Sequence, residues 1–285
     1  RGDGGRAAAA PARPAGEGMM QAAFHGISRH RFWWLALGVT LLLPLVLTSG
    51  TLATEVLVYA MAVMACNLLL GYTGLLSFGQ GIFFGLGSYA AGIGLTQLAL
   101  PMPVALVLAV VVGAVVAAVV GWFAIRQRGT YFVMLTLAFS QMFYFLAYTT
   151  PSLTGGDNGL LDIPRPAFAA SPWAFYAFVA ALFLVVFFLV QRVTESVFGR
   201  TLLAIRDNEE RALAVGYNVR AFKLLAFVIS GAVTGLAGAL HAMLTGIAPL
   251  ANIDYHVSEM ILVMTVIGGT GNVFASVLGV AFYVL

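Results

Sequence analysis

The sequence predicts an all-α membrane protein with about eight transmembrane segments, some of them broken or re-entrant. Hydrophobic residues occupy 61% of its 285 positions and charged residues 9%, whereas about a quarter of the residues in a soluble domain are charged. No Asp, Glu, Lys or Arg occurs from Val56 to Ile125. The apolar runs are continuous, unlike the alternating strands of a membrane β-barrel. These observations exclude a water-soluble fold and favour helices.

Seven apolar runs are long enough to cross a bilayer, because about 20 helical residues span the roughly 30 Å hydrocarbon layer. Residues 1–31 precede them, lack apolar periodicity and predict a disordered tail. Residues 32–285 form the predicted transmembrane domain. In chain order the runs are Phe32 to Thr48, Ala53 to Leu70, Leu75 to Leu100, Val104 to Ile125, Tyr131 to Thr149, Pro172 to Gln191 and Leu224 to Ile247.

The cations predict the orientation, because Lys and Arg accumulate in short cytoplasmic loops. Five Arg precede the first run, Arg126 and Arg128 follow the fourth, and six cations lie within 192–223. Arg165 alone falls on the other side. We therefore expect a cytoplasmic N-terminus and a cytoplasmic loop over 192–223.

The region from His256 to Leu285 predicts two broken helices. Val257 to Ile267 is too short to cross and is followed by a glycine-rich break, after which the sequence is apolar again. Such breaks expose backbone groups that lipid cannot satisfy, so they persist only against protein or a wet cavity. Because the sequence stops at Leu285 inside an apolar run, we expect a further helix beyond it.

Glycines are also frequent between positions 71 and 94. From Gly81 onward we interpret them as sites of close helix packing. The stretch from Gly71 to Ser77 favours a locally unwound segment, whose backbone carbonyls and side-chain hydroxyls line a translocation path. The glycine-rich break after Ile267 is the second part of this path. The candidate pathway residues are therefore Gly71, Thr73, Gly74, Ser77, Gly268, Gly269 and Gly271.

The polar loop 192–223 predicts a short amphipathic helix. Asp207 can cap a helix that has Glu210 at its third position, and Gly216 can end it in a left-handed turn. This helix either rests on lipid head groups or fits a groove on a separate ATPase.

The energy source must lie outside the chain. Lys223 is its only lysine, and no glycine loop precedes it, so the chain is not a P-loop ATPase. Ion coupling would require ionisable groups inside the membrane. The candidates all fall near predicted span ends, which favours interfacial positions: Glu55, His241, Asp254, His256 and Glu259.

The residues that catalysis, metal binding or a disulfide framework would require are missing or scattered. Cys66 is the only cysteine, and the four histidines lie in the tail and at two distant positions. We therefore expect no catalytic site, metal site or cofactor. The net charge of +3 comes from 14 cations against 11 anions, too few for a nucleic-acid surface. The lipid bilayer is the partner that the composition indicates.

Several stretches resemble permease subunits of bacterial branched-chain amino-acid ABC importers: Asn67 to Gly79, Leu153 to Gly159, Gly199 to Asn218, Lys223 to Gly231, and Ile267 to Gly271. The resemblance implies a non-catalytic subunit of the bacterial inner membrane. It also implies two ABC ATPase subunits, a homologous second permease and a periplasmic substrate-binding protein as partners.

Glu210 to Gly216 is similar to the E-A-A-x-x-x-G pattern of importer coupling loops, with Arg211 in place of the first alanine. The candidate ATPase-coupling residues are therefore Arg206, Asp207, Glu209, Glu210, Ala212 and Gly216.

The loop from Pro151 to Ser171 is the longest on the predicted outer side, and its prolines and glycines make it compact rather than helical. It is either a solvated connector or a docking site for the binding protein. Asp157 and Asn158 favour turns there, and Arg165 could meet an acidic residue of the partner.

The sequence thus predicts the permease subunit of an ATP-driven importer for branched-chain or related neutral amino acids. Urea or short amides are an alternative cargo for the same architecture, and an ion-coupled secondary transporter is the alternative from another class.

Overall fold

The computed structural model describes residues 49–165 and 171–284, together with positions 38, 40, 43 and 44. The chain divides into residues 1–42 and 43–285, and all helices with described bounds lie in the second unit. The predicted tail over 1–31 lies outside the described residues. So does most of the first apolar run.

Within the described residues the fold is helical and contains no strand. A π-helical turn, Leu68–Thr73, extends the first helix, and 3-10 turns occur at Gly156–Asn158 and Leu250–Ile253. The α-helices are α1 (Gly50–Asn67), α2 (Gln80–Thr96), α3 (Met102–Ala124), α4 (Thr130–Thr149), α5 (Pro151–Thr154), α6 (Pro172–Glu195), α7 (Val197–Asp207), α8 (Glu209–Ala214), α9 (Val219–Thr245), α10 (Tyr255–Gly268) and α11 (Val273–Val284).

The predicted all-α membrane fold is confirmed. Among the described residues, five helices are long and apolar enough to cross a membrane: Gly50–Thr73, Met102–Ala124, Thr130–Thr149, Pro172–Glu195 and Val219–Thr245. The predicted run from Leu75 to Leu100 needs correction, because its helix covers only Gln80–Thr96. Hydropathy alone extended this run across the irregular residues 74–79.

Glycines allow the central helices α2, α3 and α9 to pack closely. A Cβ on Gly87 would lie 2.6 Å from Gly235 Cα, and Gly113 faces Gly231 in the same way. Real Cβ atoms do not approach backbone this closely, so these contacts require glycine. The packing interpretation of the glycines after position 80 is confirmed for Gly81 and Gly87, since a Cβ on Gly81 would lie 2.6 Å from the backbone oxygen of Asp254, but not for Gly94, whose added Cβ would meet only ordinary contacts.

A buried polar cluster joins α1, α2 and α9. Gln80 Nε2 donates to Ser230 Oγ at 3.0 Å, and Thr234 Oγ1 donates to Gln80 Oε1 at 2.8 Å. Ser230 Oγ in turn donates to the carbonyl of Ala65 at 2.7 Å. Buried polar groups with satisfied hydrogen bonds fix the relative register of the helices that carry them.

The predicted pair of broken helices after residue 255 is present as α10 and α11. The chain reverses between them at 269–272, where Gly269 and Gly271 both have φ of +93°. The two helices lie close together, because a Cβ on Gly279 would be 2.7 Å from the amide nitrogen of Gly268.

Candidate functional site

The first glycine break follows α1. Gly74 has φ of +71°, a left-handed conformation that favours glycine, and residues 75–79 are not helical. The predicted unwinding is therefore present from Gly74 to Ser77, whereas Gly71 and Thr73 belong to the π-helical turn. The two hydroxyls contact local backbone, because Thr73 Oγ1 donates to Leu69 O at 2.5 Å and Ser77 Oγ accepts from Gly79 N at 3.1 Å.

Asn67 joins this first break to the second. Its Nδ2 donates to Asn272 O at 2.8 Å and to Ser276 Oγ at 2.9 Å, while its Oδ1 accepts from Gly271 N at 3.0 Å. The side chain is fully buried. We call Asn67, Gly71, Gly271, Asn272 and Ser276 the glycine junction.

The glycine junction requires a bare backbone at Gly71. A Cβ there would lie 2.6 Å from the nitrogen and 3.1 Å from the Cα of Gly271, and would collide with Asn67 Oδ1. The junction thus brings together residues predicted separately for the pathway. Asn67 was not predicted as a site residue, although a lone amide one helical turn before Gly71 was a usable signal.

The coupling helix begins one residue later than predicted. Asp207 is the last residue of α7, and Asn208 caps α8, with its Oδ1 accepting from Arg211 N at 2.8 Å. Both side chains suit a helix cap, but α7 continues through Asp207 and Asn208 takes the extended backbone. Glu210 is therefore the second helical residue rather than the third. The predicted left-handed Gly216 is confirmed, with φ of +98°.

Several predicted coupling residues face their own chain. Ala212 is buried in a cluster with Ile205 and Val219, and Phe222 packs against this cluster. Arg206 extends from α7 to donate from Nη1 to the carbonyl of Gly71. Ala212 is therefore covered by its own chain, whereas Arg206 makes its contact with Gly71 from an exposed position.

Glu209 also anchors α8. Its Oε2 lies 2.9 Å from Lys223 Nζ at the start of α9, and its Oε1 lies 3.6 Å from Arg128 Nη2 in the loop between α3 and α4. The side chain of Lys223 is 10% exposed and that of Glu209 is 28% exposed, so the pair is partly shielded from water. One carboxylate thus connects α8 to the start of α9 and to the loop between α3 and α4.

The surface of α8 and of the residues that flank it is exposed. Asp207, Glu210 and Gly216 are exposed. Large apolar side chains lie exposed beside them: Leu213 (48%), Val215 (72%) and Tyr217 (42%). We call these six residues the α8 surface. It combines charges with exposed apolar groups, as a protein contact requires.

The loop on the opposite side contains more helix than predicted. Pro151 begins a helical turn at α5, a position that proline favours, and Asp157 and Asn158 lie exposed in a 3-10 turn. Leu160 and Ala248 exchange backbone hydrogen bonds of 3.0 and 2.8 Å. The loop is therefore attached to the segment after α9.

Arg165 is exposed, and its guanidinium also makes a contact that the sequence did not predict. Its Nη2 donates to the carbonyl of Leu244 in the last turn of α9. A cation at a helix C-terminus stabilises the carbonyl end of the helix dipole. Ile163 adds a backbone bond to Gly246 at 2.9 Å. Arg165 therefore fixes the loop to α9.

The chain re-enters the bundle after α9. Ser140 Oγ donates to Ile253 O at 3.2 Å, and Ser140 lies near the middle of α4, about 15 Å along the helix from either end. A few residues later, Ser258 Oγ accepts from Gly81 N at 2.7 Å. Ile253 thus lies level with the middle of a spanning helix, and Ser258 lies at the first turn of α2.

This re-entry changes the position of three ionisable groups. The sequence predicts Asp254, His256 and Glu259 near the end of a span. In the structure they lie on the re-entrant stretch instead. Asp254 Oδ2 lies 3.1 Å from His256 Nδ1, whose side chain is 65% exposed in the isolated chain. His241, by contrast, is buried between two aromatic rings. Linear hydropathy could not reveal the re-entry, because the 3-10 turn that produces it lies outside any apolar run.

The family model described as "Branched-chain amino acid transport system / permease component" matches residues 49–285. The chain belongs to this permease family. The resemblance inferred from the sequence stretches is thereby confirmed. No group of three metal-ligating side chains occurs among the described residues of this permease.

Named relatives of the permease include LivM of Escherichia coli (strain K12), a high-affinity branched-chain amino acid transport system permease protein. It is 28% identical over 271 residues, which cover 85% of this chain and 64% of LivM. A probable LivM of Methanocaldococcus jannaschii is 27% identical, over 64% of this chain and 54% of its own length. The chain thus spans less than two thirds of these relatives.

A third relative has a different named cargo. The L-arabinose transport system permease protein AraH of Escherichia coli (strain K12) is 30% identical over 173 residues, which cover 56% of this chain and 50% of AraH. No solved structure matches the chain. Membership of the permease family therefore does not by itself fix the solute.

Proposed function

We propose that this chain is the transmembrane permease subunit of an ATP-driven importer for branched-chain or related neutral amino acids, located in the bacterial inner membrane with a cytoplasmic N-terminus. The family match over 49–285 carries the proposal. The amino-acid cargo is supported by the LivM relative, whose similarity covers 85% of the chain, whereas that of AraH covers 56%.

The α8 surface is the proposed contact for a separate ATPase subunit. Its exposed residues lie in the predicted cytoplasmic loop, and the Glu209–Lys223 pair and the buried Ala212 hold it against α9. ATP hydrolysis belongs to two such partner subunits, and the permease acts together with a homologous second permease. Closure of the ATPases then moves α8 and the helices to which it is attached.

The proposed translocation pathway passes the two glycine breaks. It includes the backbone at Gly71, Thr73, Gly74 and Ser77 and at Gly268, Gly269 and Gly271. Polar groups at membrane depth are costly unless they face protein or water. The re-entrant residues Asp254, His256 and Glu259 are therefore proposed to face the same path or the second permease, not lipid.

A periplasmic binding protein is proposed to deliver the amino acid to the outer loop. Asp157 and Asn158 supply exposed polar groups there. Arg165 supports this surface indirectly, because its bond to Leu244 O fixes the loop to α9.

Transport by the reconstituted complex tests the proposal. The permease, its partner permease, the ATPases and the binding protein are assembled in liposomes, and uptake of radiolabelled leucine is measured with ATP on the ATPase side. We expect ATP-dependent uptake that unlabelled isoleucine and valine compete for, and that urea, acetamide and arabinose do not. Competition by urea or arabinose instead would reassign the cargo. Uptake driven by an ion gradient without ATP would support a secondary transporter.

A further inference from the structure

One arginine of the cytoplasmic loop contacts the glycine junction. Arg206 lies in the last turn of α7, and its Nη1 donates to the carbonyl of Gly71. Its Cγ lies 3.3 Å from where a Cβ on Gly74 would be, and the same Nη1 lies 4.0 Å from the corresponding position on Gly271. The side chain therefore reaches both glycine breaks.

The carbonyl of Gly71 needs such a donor. It belongs to the last turn of the π-helical extension of α1, and the final carbonyls of a helix have no partner within it. Two of the amide nitrogens that follow are already used, because Gly74 N and Leu75 N both donate to Leu69 O. A guanidinium at this end also interacts favourably with the helix dipole.

The arginine is attached to α8 by the residue beside it. Ile205 is 2% exposed and packs with Ala212 of α8 and Val219 of α9. A displacement of α8 is therefore transmitted through this small core to α7, and so to Arg206. At its other end, the guanidinium contacts a junction in which three hydrogen bonds from Asn67 hold the second break.

We infer that Arg206 is a positioning residue that transmits movement of α8 to the glycine junction through its hydrogen bond to the Gly71 carbonyl. This inference rests on the proposed function, in which ATPase subunits move α8. It assigns Arg206 a role inside the permease rather than on the ATPase contact.

The first test measures coupling. Arg206→Ala, Arg206→Gln and Arg206→Lys are placed in the reconstituted complex, and leucine uptake is divided by ATP hydrolysed. We expect this ratio to fall about tenfold or more for Ala and Gln, because a charge-assisted hydrogen bond is lost. Lys, which keeps the cation, should recover part of the loss. Arg200→Ala, an exposed arginine of the same helix, is the matched control and should keep the wild-type ratio.

The second test follows the break itself and needs no cargo. Thr270 is exposed in the break between α10 and α11, and the native Cys66 is buried. In Thr270→Cys, the rate of maleimide labelling should differ between the nucleotide-free complex and the ATP-bound complex. Adding Arg206→Ala should abolish this difference, and adding Arg200→Ala should preserve it.

The outcomes separate the two claims. A wild-type ratio in both Arg206→Ala and Arg206→Gln overturns the inference. The inference is also overturned if nucleotide-dependent labelling of Thr270→Cys persists when Arg206→Ala is added. The same holds if that labelling does not depend on nucleotide when Arg206 is present. If the Arg206→Ala complex does not assemble, Arg206→Gln and Arg206→Lys are compared with each other. An equal ratio of leucine uptake to ATP hydrolysis in these two variants would overturn the role of the cation. A wild-type complex that hydrolyses ATP without importing leucine contradicts the proposed function, whereas the labelling test still decides the role of Arg206.

Discussion

Replacing Gly71 with alanine tests whether the two glycine breaks really share one junction. In the structure, the added Cβ would lie 2.6 Å from the nitrogen and 3.1 Å from the Cα of Gly271. These are backbone atoms, so they cannot rotate away as a flexible side chain would. We therefore expect Gly71→Ala to force apart the α1 extension and the α10–α11 break.

The net cost follows from two opposing effects. Overpacking a tight contact costs about 1–3 kcal/mol, and alanine gains about 0.5–1 kcal/mol over glycine within a helix. The difference is a loss of about 0–2.5 kcal/mol, and the upper half of this range is favoured because the opposing atoms are backbone. Uptake should also fall, since the junction lies on the proposed pathway.

Gly94→Ala is the matched control. Gly94 lies in α2, and its added Cβ would meet Ala105 Cβ at 3.4 Å, an ordinary van der Waals contact. This variant should be as stable as the wild type or more stable, because only the propensity gain remains. Both variants are compared by thermal unfolding in the same detergent. A midpoint for Gly71→Ala equal to or above that of Gly94→Ala would refute the close approach of the two breaks.

Three further predictions concern the loops. Gly216→Val and Gly246→Val both force a β-branched residue into a left-handed turn, with φ of +98° and +77°, at a cost of about 1–2 kcal/mol each. Only Gly216→Val should weaken copurification with the ATPase; equal retention of the ATPase in the two variants would contradict the role of the α8 surface. Cysteines at the exposed positions Ser152 and Ala204 should label from opposite faces of sealed vesicles, outer and cytoplasmic respectively, and labelling from one face would overturn the predicted topology. Arg165→Glu should loosen the outer loop, because an anion would replace a cation beside the carbonyl end of α9; faster protease cleavage within 151–165 than in Arg165→Lys is the expected result, and equal cleavage would mean that the contact does not hold the loop.

Local features of the fold could be read from the sequence. The spanning helices follow from continuous hydropathy, since a helix satisfies its own backbone groups and lipid selects apolar side chains at every position. The break after Gly268 and the left-handed Gly216 were predictable from glycine itself, which adopts positive φ without the steric cost that other residues have. The start of α8 was misplaced by one residue because Asp207 and Asn208 are both good caps, and the length of the preceding helix decides between them.

The contacts that make a site were decided by the tertiary structure. Asn67 Oδ1 accepts from an amide 204 residues away, Arg206 of α7 donates to the Gly71 carbonyl, and Arg165 donates to the Leu244 carbonyl at the end of α9. Hydrogen bonds are short and directional, so their partners depend on how distant helices pack, which hydropathy does not encode. The same packing brings Ile253, which directly precedes Asp254, to the level of Ser140, although the sequence predicts the end of a span there. Sequence determined the long spanning helices and the glycine breaks, because both depend on local composition, and packing determined the re-entry after α9 and which broken ends meet.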